Sequence, residues 1–254
     1  PFEVCNSVID CEKSQDDEDV CDTEICISNC KCYGHAIECL MGNITVLPVT
    51  LRPVRAIFLR HNYLPVWKSD YLMCQPYLTK LDISRNAIKI IENKAFSCLS
   101  GLRDLSLQHN QISFIRSYQF LGLFRMKKLR FDGNPLQALK MYAFVGLRSL
   151  NQLSLNDHQL FNLQKNTFNG LHNLLSLDLS NNHLFALDRS ILKGLESLTI
   201  LNLSRNKIIQ IKLDMFISLK QLKLVIAKTF HICCLTTPNT VCYHGSEVPY
   251  SCKG

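Results

Sequence analysis

Asparagines recur at a fixed interval through the middle of this chain. Asn62, Asn86, Asn110, Asn134, Asn182 and Asn206 lie 24 residues apart or at a multiple of it, and only His158 breaks the series. Around each slot one pattern returns, as VRAIFLRHNYL, LTKLDISRNAI, LRDLSLQHNQI, MKKLRFDGNPL, LNQLSLNDHQL, LLSLDLSNNHL and LTILNLSRNKI, and an incomplete eighth unit begins at Leu222. A constant period around L-x-x-L-x-L-x-x-N-x-L leaves few folds open, because a unit this short cannot bury its own apolar face and must stack on its neighbours. Strand alternation sends the leucines inward and the residues between them to the concave face. The asparagine amide is suited to bond backbone groups that the bend leaves unpaired. His158 does part of that work, so it reads as structural rather than as a ligand. Ten residues after each slot stand Leu72, Phe96, Phe120, Phe144, Phe168, Leu192 and Phe216, a predicted aromatic stack on the convex side.

The pattern identifies the fold class as an α/β-type leucine-rich repeat solenoid with a parallel β concave face. Such a stack has open apolar ends that need caps. Of 13 cysteines in the chain, only Cys74 and Cys98 lie between residues 40 and 232. Clusters at both ends of a nearly cysteine-free middle point to disulfide-stapled caps on a secreted or cell-surface protein. Cys74 and Cys98 are themselves 24 apart and occupy equivalent places on adjacent coils, within reach of a bridge. Residues 26–39, CISNCKCYGHAIEC, resemble the N-terminal cap of extracellular leucine-rich repeat proteins, which implies Cys26–Cys32 and Cys30–Cys39. Zinc is the competing reading for four close cysteines. Cys233, Cys234, Cys242 and Cys252 are expected to form two bridges among themselves, with the connectivity open. The odd count leaves one cysteine seeking a partner outside the chain.

Charge divides the chain. Residues 1–25 hold nine acids and one base, 1 − 9 = −8, and residues 26–254 hold 27 bases and 12 acids, 27 − 12 = +15, which sum to the formal +7. The acidic stretch, with Cys5, Cys11 and Cys21, resembles the second half of a low-density-lipoprotein (LDL) receptor class A module. That resemblance implies a calcium ion held by the side chains of Asn6, Asp10, Asp17 and Glu18 and the carbonyls of Glu3 and Val8. It also implies Cys5–Cys21, with Cys11 paired upstream of Pro1, so that the chain begins inside a module. The resulting organisation is residues 1–25 as half-module and linker, 26–40 as N-terminal cap, 41–228 as repeats and 229–254 as C-terminal cap or hinge. The charge split also suggests that the acidic part docks on the basic surface of its own repeats.

Residues 229–252, TFHICCLTTPNTVCYHGSEVPYSC, resemble the hinge of leucine-rich-repeat-containing G-protein-coupled receptors, with the double cysteine typical of it. The bridged repeat pair LMCQPYLTKLDISRNAI…AFSCLSGL resembles the relaxin-receptor branch, which carries lipoprotein-receptor modules. The ordered combination resembles the ectodomain of a relaxin-receptor-like (type C) receptor of the invertebrate multi-module type. The resemblance implies a plasma-membrane protein with its binding region outside the cell. A relaxin- or insulin-like peptide or protein hormone would be captured on the concave face. Its partners would be its own seven-helix domain and, through that, a heterotrimeric G protein. Candidate ligand-binding residues are Phe58, Arg60, Asp82, Asp104, Lys128, Arg130, Asp132 and Asp178. Acids and bases interleave there, with Lys127 beside them.

Asn43 and Asn202 head N-glycosylation sequons; Asn43 is the favoured site, with Asn202 second because a glycan there crowds the concave face. The main rival reading is a secreted matrix protein of the small leucine-rich proteoglycan kind, without signalling. A single-span adhesion or innate-immune receptor ranks third. The sequence offers no Ser/His/Asp set in a plausible cleft, no glycine-rich phosphate loop and no His-x-x-x-His pair, so an enzyme is not expected. Nucleic acid is not an expected partner; anionic glycans are the candidate contact for the basic excess. No run of 18 apolar residues occurs.

Overall fold

The computed structural model describes residues 30–40, 54–72, 74–212, 214–228, 230–236, 239–244 and 249–250. Each repeat contributes one short strand to a single twelve-stranded sheet. The parallel strands are Ala36–Glu38, Ala56–Phe58, Lys80–Asp82, Asp104–Ser106, Lys128–Arg130, Gln152–Ser154, Ser176–Asp178, Ile200–Asn202, Leu224–Ala227 and Val241–His244. Their central residues pair in one row, Ile37, Ile57, Leu81, Leu105, Leu129, Leu153, Leu177, Leu201, Val225 and Cys242, and all of them are buried. The register is in phase because a one-residue slip would turn every leucine of a strand to solvent. At either end an antiparallel partner closes the sheet: Lys31–Tyr33 before the first coil and Pro249–Tyr250 after the last. The convex return is built from turns and two-residue strands, such as Val66–Trp67 paired with Ile90–Ile91. Helix is confined, among the described residues, to the short turn Phe230–Cys233.

The asparagine of each repeat holds its own bend and the previous coil together. Asn110 Nδ2 donates to Leu107 O (2.9 Å) and Ile83 O (3.0 Å), while its Oδ1 accepts from Asn86 N (2.9 Å) and Ile88 N (3.0 Å). Asn134, Asn182 and Asn206 repeat the scheme. At His158 it is interrupted. The ring reaches only the Asn134 carbonyl, Nδ1 to O 2.6 Å, and Nε2 is buried without a hydrogen-bond partner. Burial lowers the pKa of this imidazole.

The residue before each slot bends in the left-handed region: His61, Arg85, His109, Gly133, Asp157, Asn181 and Arg205 have φ between 52° and 73°. Six of the seven are not glycine, so the coil imposes this conformation on ordinary residues. Gly133 answers to a second constraint, since a Cβ there would run into the His109 ring.

The predicted aromatic stack is present. Phe96, Phe120, Phe144 and Phe168 lie 6.1, 6.1 and 5.9 Å apart, nearly parallel. Trp67 continues it beyond Phe96 at 6.3 Å, a role the sequence pattern did not reveal because Trp67 sits five residues after its slot. The spine is fully buried, and each ring covers the next.

Cys30–Cys39 and Cys74–Cys98 are bonded as expected, and Cys233 pairs with Cys242 within its cluster. Cys32 and Cys234 are also disulfide-bonded. Cys39 and Cys242 are buried at opposite ends of the core, so each cap fixes a strand over an open end of the stack. Such bonds persist in oxidising compartments and place the chain in a secreted or extracellular setting. The expected calcium ligands Glu3, Asn6, Val8, Asp10, Asp17 and Glu18, the Cys5–Cys21 bridge, and Cys26, Asn43 and Cys252 lie outside the described residues. No described helix is long and apolar enough to cross a membrane.

Candidate ligand-binding face

The concave face is written by the residues that flank each buried leucine. Strand pairing aligns them in two columns. One runs Ala56, Lys80, Asp104, Lys128, Gln152, Ser176, Ile200, Leu224 and Val241. The other runs Glu38, Phe58, Asp82, Ser106, Arg130, Ser154, Asp178, Asn202, Ile226 and Tyr243. Neighbours within a column are separated by the strand spacing of about 4.8 Å.

The sequence-predicted residues fall on this face, where most are engaged with one another. Arg60 reaches Glu38 (3.5 Å) and Asp82 (3.6 Å), and its guanidinium lies 5.8 Å from the Phe58 ring centre. Lys80 lies 5.1 Å from the same ring, so two cations share one aromatic side chain. Arg130 holds Asp104 through two contacts, 2.9 and 3.3 Å. Asp132 accepts from Gln108 Nε2 at 2.7 Å. Asp178 Oδ1 accepts from Ser180 N at 2.8 Å and Asp82 Oδ1 from Ser84 N at 3.0 Å, each carboxylate folding back on its own strand end. Lys128 is exposed. Tyr33 donates to Glu38, and that hydrogen bond raises the pKa of the phenol.

These pairs change what the face offers. An arginine arriving from a ligand meets Asp82 and Asp104 already satisfied by Arg60 and Arg130. Half-exposed pairs of this kind contribute at most about 1 kcal/mol each. They are weak enough to be exchanged and ordered enough to set a pattern. Glu38 and Gln108, which complete the network, were not among the predicted residues; they become visible only when the cap strand and the ascending bends are aligned with the repeats.

Beyond the strand Lys128–Arg130 the character changes. Gln152, Ser154, Asn156 and Ser176 make a neutral polar middle. Ile200, Leu224 and Val241 then face out in one column, with Ile226 and Tyr243 in the other. Ile200, Val241 and Tyr243 are 38, 45 and 37% exposed. Asn202 stands at the edge of this apolar area, its Oδ1 accepting from Ser204 N at 3.1 Å. The signal was present in the sequence as apolar residues at outward-facing slots of LTILNL and LKLVIA.

The family model for leucine rich repeats matches residues 52–112, 100–160 and 172–226, most of the chain. The chain belongs to the leucine-rich repeat family. No curated protein matches its sequence. Among solved structures, this leucine-rich repeat chain is similar to human 5T4 (Wnt-activated inhibitory factor 1, trophoblast glycoprotein), with 23% identity, 81% of each chain covered and a TM-score of 0.62. It is also similar to TLR13 in a TLR13–ssRNA13 complex, with 30% identity and a TM-score of 0.53 over 70% of this chain. The repeats span 31% of that TLR13 chain. Both likenesses concern the solenoid itself.

Proposed function

We propose that this leucine-rich repeat solenoid is the extracellular ligand-binding region of a G-protein-coupled receptor. In this reading it captures a peptide or protein hormone on its concave face and signals through a seven-helix domain outside this chain. The observation that carries the binding role is the face itself: an ordered sheet of outward side chains, clamped between disulfide-bonded caps, in a chain whose interior is otherwise consumed by its own stacking. The TLR13 structure, a complex with ssRNA13, supports a general ligand-binding role for such a solenoid. The receptor assignment draws on the lipoprotein-receptor-like N-terminus and the Cys233-Cys234 hinge, whose resemblance also implies calcium at the N-terminal module. A hormone of the relaxin or insulin-like class would approach with basic side chains and exchange Arg60 and Arg130 for its own at Asp82 and Asp104.

The test is expression of the natural full-length polypeptide in cells that report G-protein signalling, challenged with extracellular peptide fractions. A response that is lost when Asp104→Arg reverses the central pair supports the reading. A full-length sequence without seven apolar segments of about 20 residues after Gly254 overturns it and leaves the matrix-protein reading in its place.

A further inference from the structure

The concave face is not uniform, and its C-terminal third has a chemistry that the charged half does not share. Strand pairing sets Ile200, Leu224 and Val241 side by side, with Ile226 and Tyr243 in the next column. Leu175, 44% exposed, stands on the margin. Large apolar side chains on the outward slots of a sheet gain nothing from the fold, and a contiguous group of them marks an interaction surface. Its borders are basic: Lys223 on one side and Arg205 and Lys228 on the other are all exposed. Between Glu196 and Tyr243 the described residues include one acid, Asp214, and it lies in a convex turn where its carbonyl accepts from Ile217 N. Among the described residues none of these three bases forms an ion pair, in contrast to Arg60 and Arg130.

We propose that this third of the face is the docking site for an extended peptide or protein segment that presents apolar side chains together with carboxylates. The apolar side chains cover Ile200, Leu224, Ile226, Val241 and Tyr243, and the carboxylates meet Lys223, Lys228 and Arg205. The proposal rests on the concave face being the ligand face and adds where the apolar part of the ligand sits. It also assigns a consequence to the Asn202 sequon: a glycan on that side chain projects over the patch and blocks the site, so the binding-competent chain carries none there.

The test pans a phage-displayed library of random 12-residue peptides on the immobilised full chain and measures affinities of the enriched peptides as synthetic probes. The expected probes are rich in apolar residues and Asp or Glu. They lose about tenfold in affinity on Ile226→Asp and on Lys228→Glu, and less than twofold on Lys165→Glu at an exposed position off the face, with thermal unfolding unchanged in all three, while Asp104→Asn reports separately on the charged half. Ile200→Asn, at an exposed position, repeats the loss should Ile226→Asp perturb the strand. Probes that respond to Asp104→Asn but not to the patch variants overturn the proposal while leaving the concave ligand face intact. Probes indifferent to both sets overturn both. A library that yields no apolar-acidic binder overturns the proposal, as does a wild-type chain that sediments as a dimer and is made monomeric by Ile226→Asp, since a second copy would then be the occupant.

Discussion

At the scale of single residues the repeat is a hydrogen-bonding device, left incomplete at the Oδ1 atoms of Asn62 and Asn86 and most of all at His158. Asparagine serves both the bend and the coil before it, and a buried amide that meets several partners contributes on the order of 1 kcal/mol per bond. His158 meets one partner and buries a second nitrogen without any. His158→Asn is expected to restore the ladder and raise stability by about 1 kcal/mol, read from chemical denaturation at pH 7. The histidine also makes stability depend on acid. Its folded pKa lies below that of the unfolded ring because burial disfavours the charged form. The unfolded state therefore binds more protons, and stability falls as pH drops below the unfolded value of about 6.5 toward the lowered folded one. Thermal unfolding at pH 5 and pH 7.5 should differ less in His158→Asn than in the natural chain; an equal difference would remove His158 from the explanation. The slot was legible in the sequence as a break in period. Its unpaired nitrogen was not, because that depends on where a ring of different shape stops short of the neighbouring coil.

At the scale of elements, the phenylalanine spine and the Cys74–Cys98 bridge both tie one coil to the next. Phe120 touches Phe96, Phe144 and Phe131, with ring centres 6.1, 6.1 and 5.8 Å away. Phe120→Ala should cost about 3–5 kcal/mol, and Phe120→Leu about 1.5 kcal/mol or less, measured by denaturant unfolding. The bridge encloses a sequence separation of 24 at an exposed edge of the first two coils. Its removal by Cys74→Ser with Cys98→Ser should cost about 2–4 kcal/mol while leaving the circular dichroism of the repeats in place. Both features followed from counting. A fixed period converts sequence position into spatial position, so equivalent slots must be neighbours. Trp67 escaped that logic because it fills the space of the spine from a different slot, and only packing reveals such a substitution.

At the scale of the whole molecule, the solenoid separates what is common from what is particular. Leucine, asparagine and phenylalanine slots specify the stack, and they were readable from periodicity alone. The outward slots carry the charged and apolar side chains of the concave face, and their composition was readable, but their pairing was not. Arg60 joins Glu38 of the cap to Asp82 two coils on, a triad whose members are scattered over 45 residues of sequence. Arg130→Ala should lower stability by less than about 1 kcal/mol, since the pair it breaks is half-exposed, and should free Asp104 for an external cation. Tighter binding of an arginine-containing peptide to that variant than to the natural chain would confirm that the face is held in a self-satisfied state.

The Cys74–Cys98 bond has a mechanical side as well. It short-circuits one full turn of the coil, so a pull applied to the two ends of the chain bypasses the residues between the two sulfurs. Stretching the oxidised protein should yield a final contour shorter than that of the oxidised Cys74→Ser, Cys98→Ser variant by roughly 80 Å, at about 3.5 Å for each hidden residue. The first two coils then resist tension as a single link, and unravelling starts in the unstapled coils beyond them.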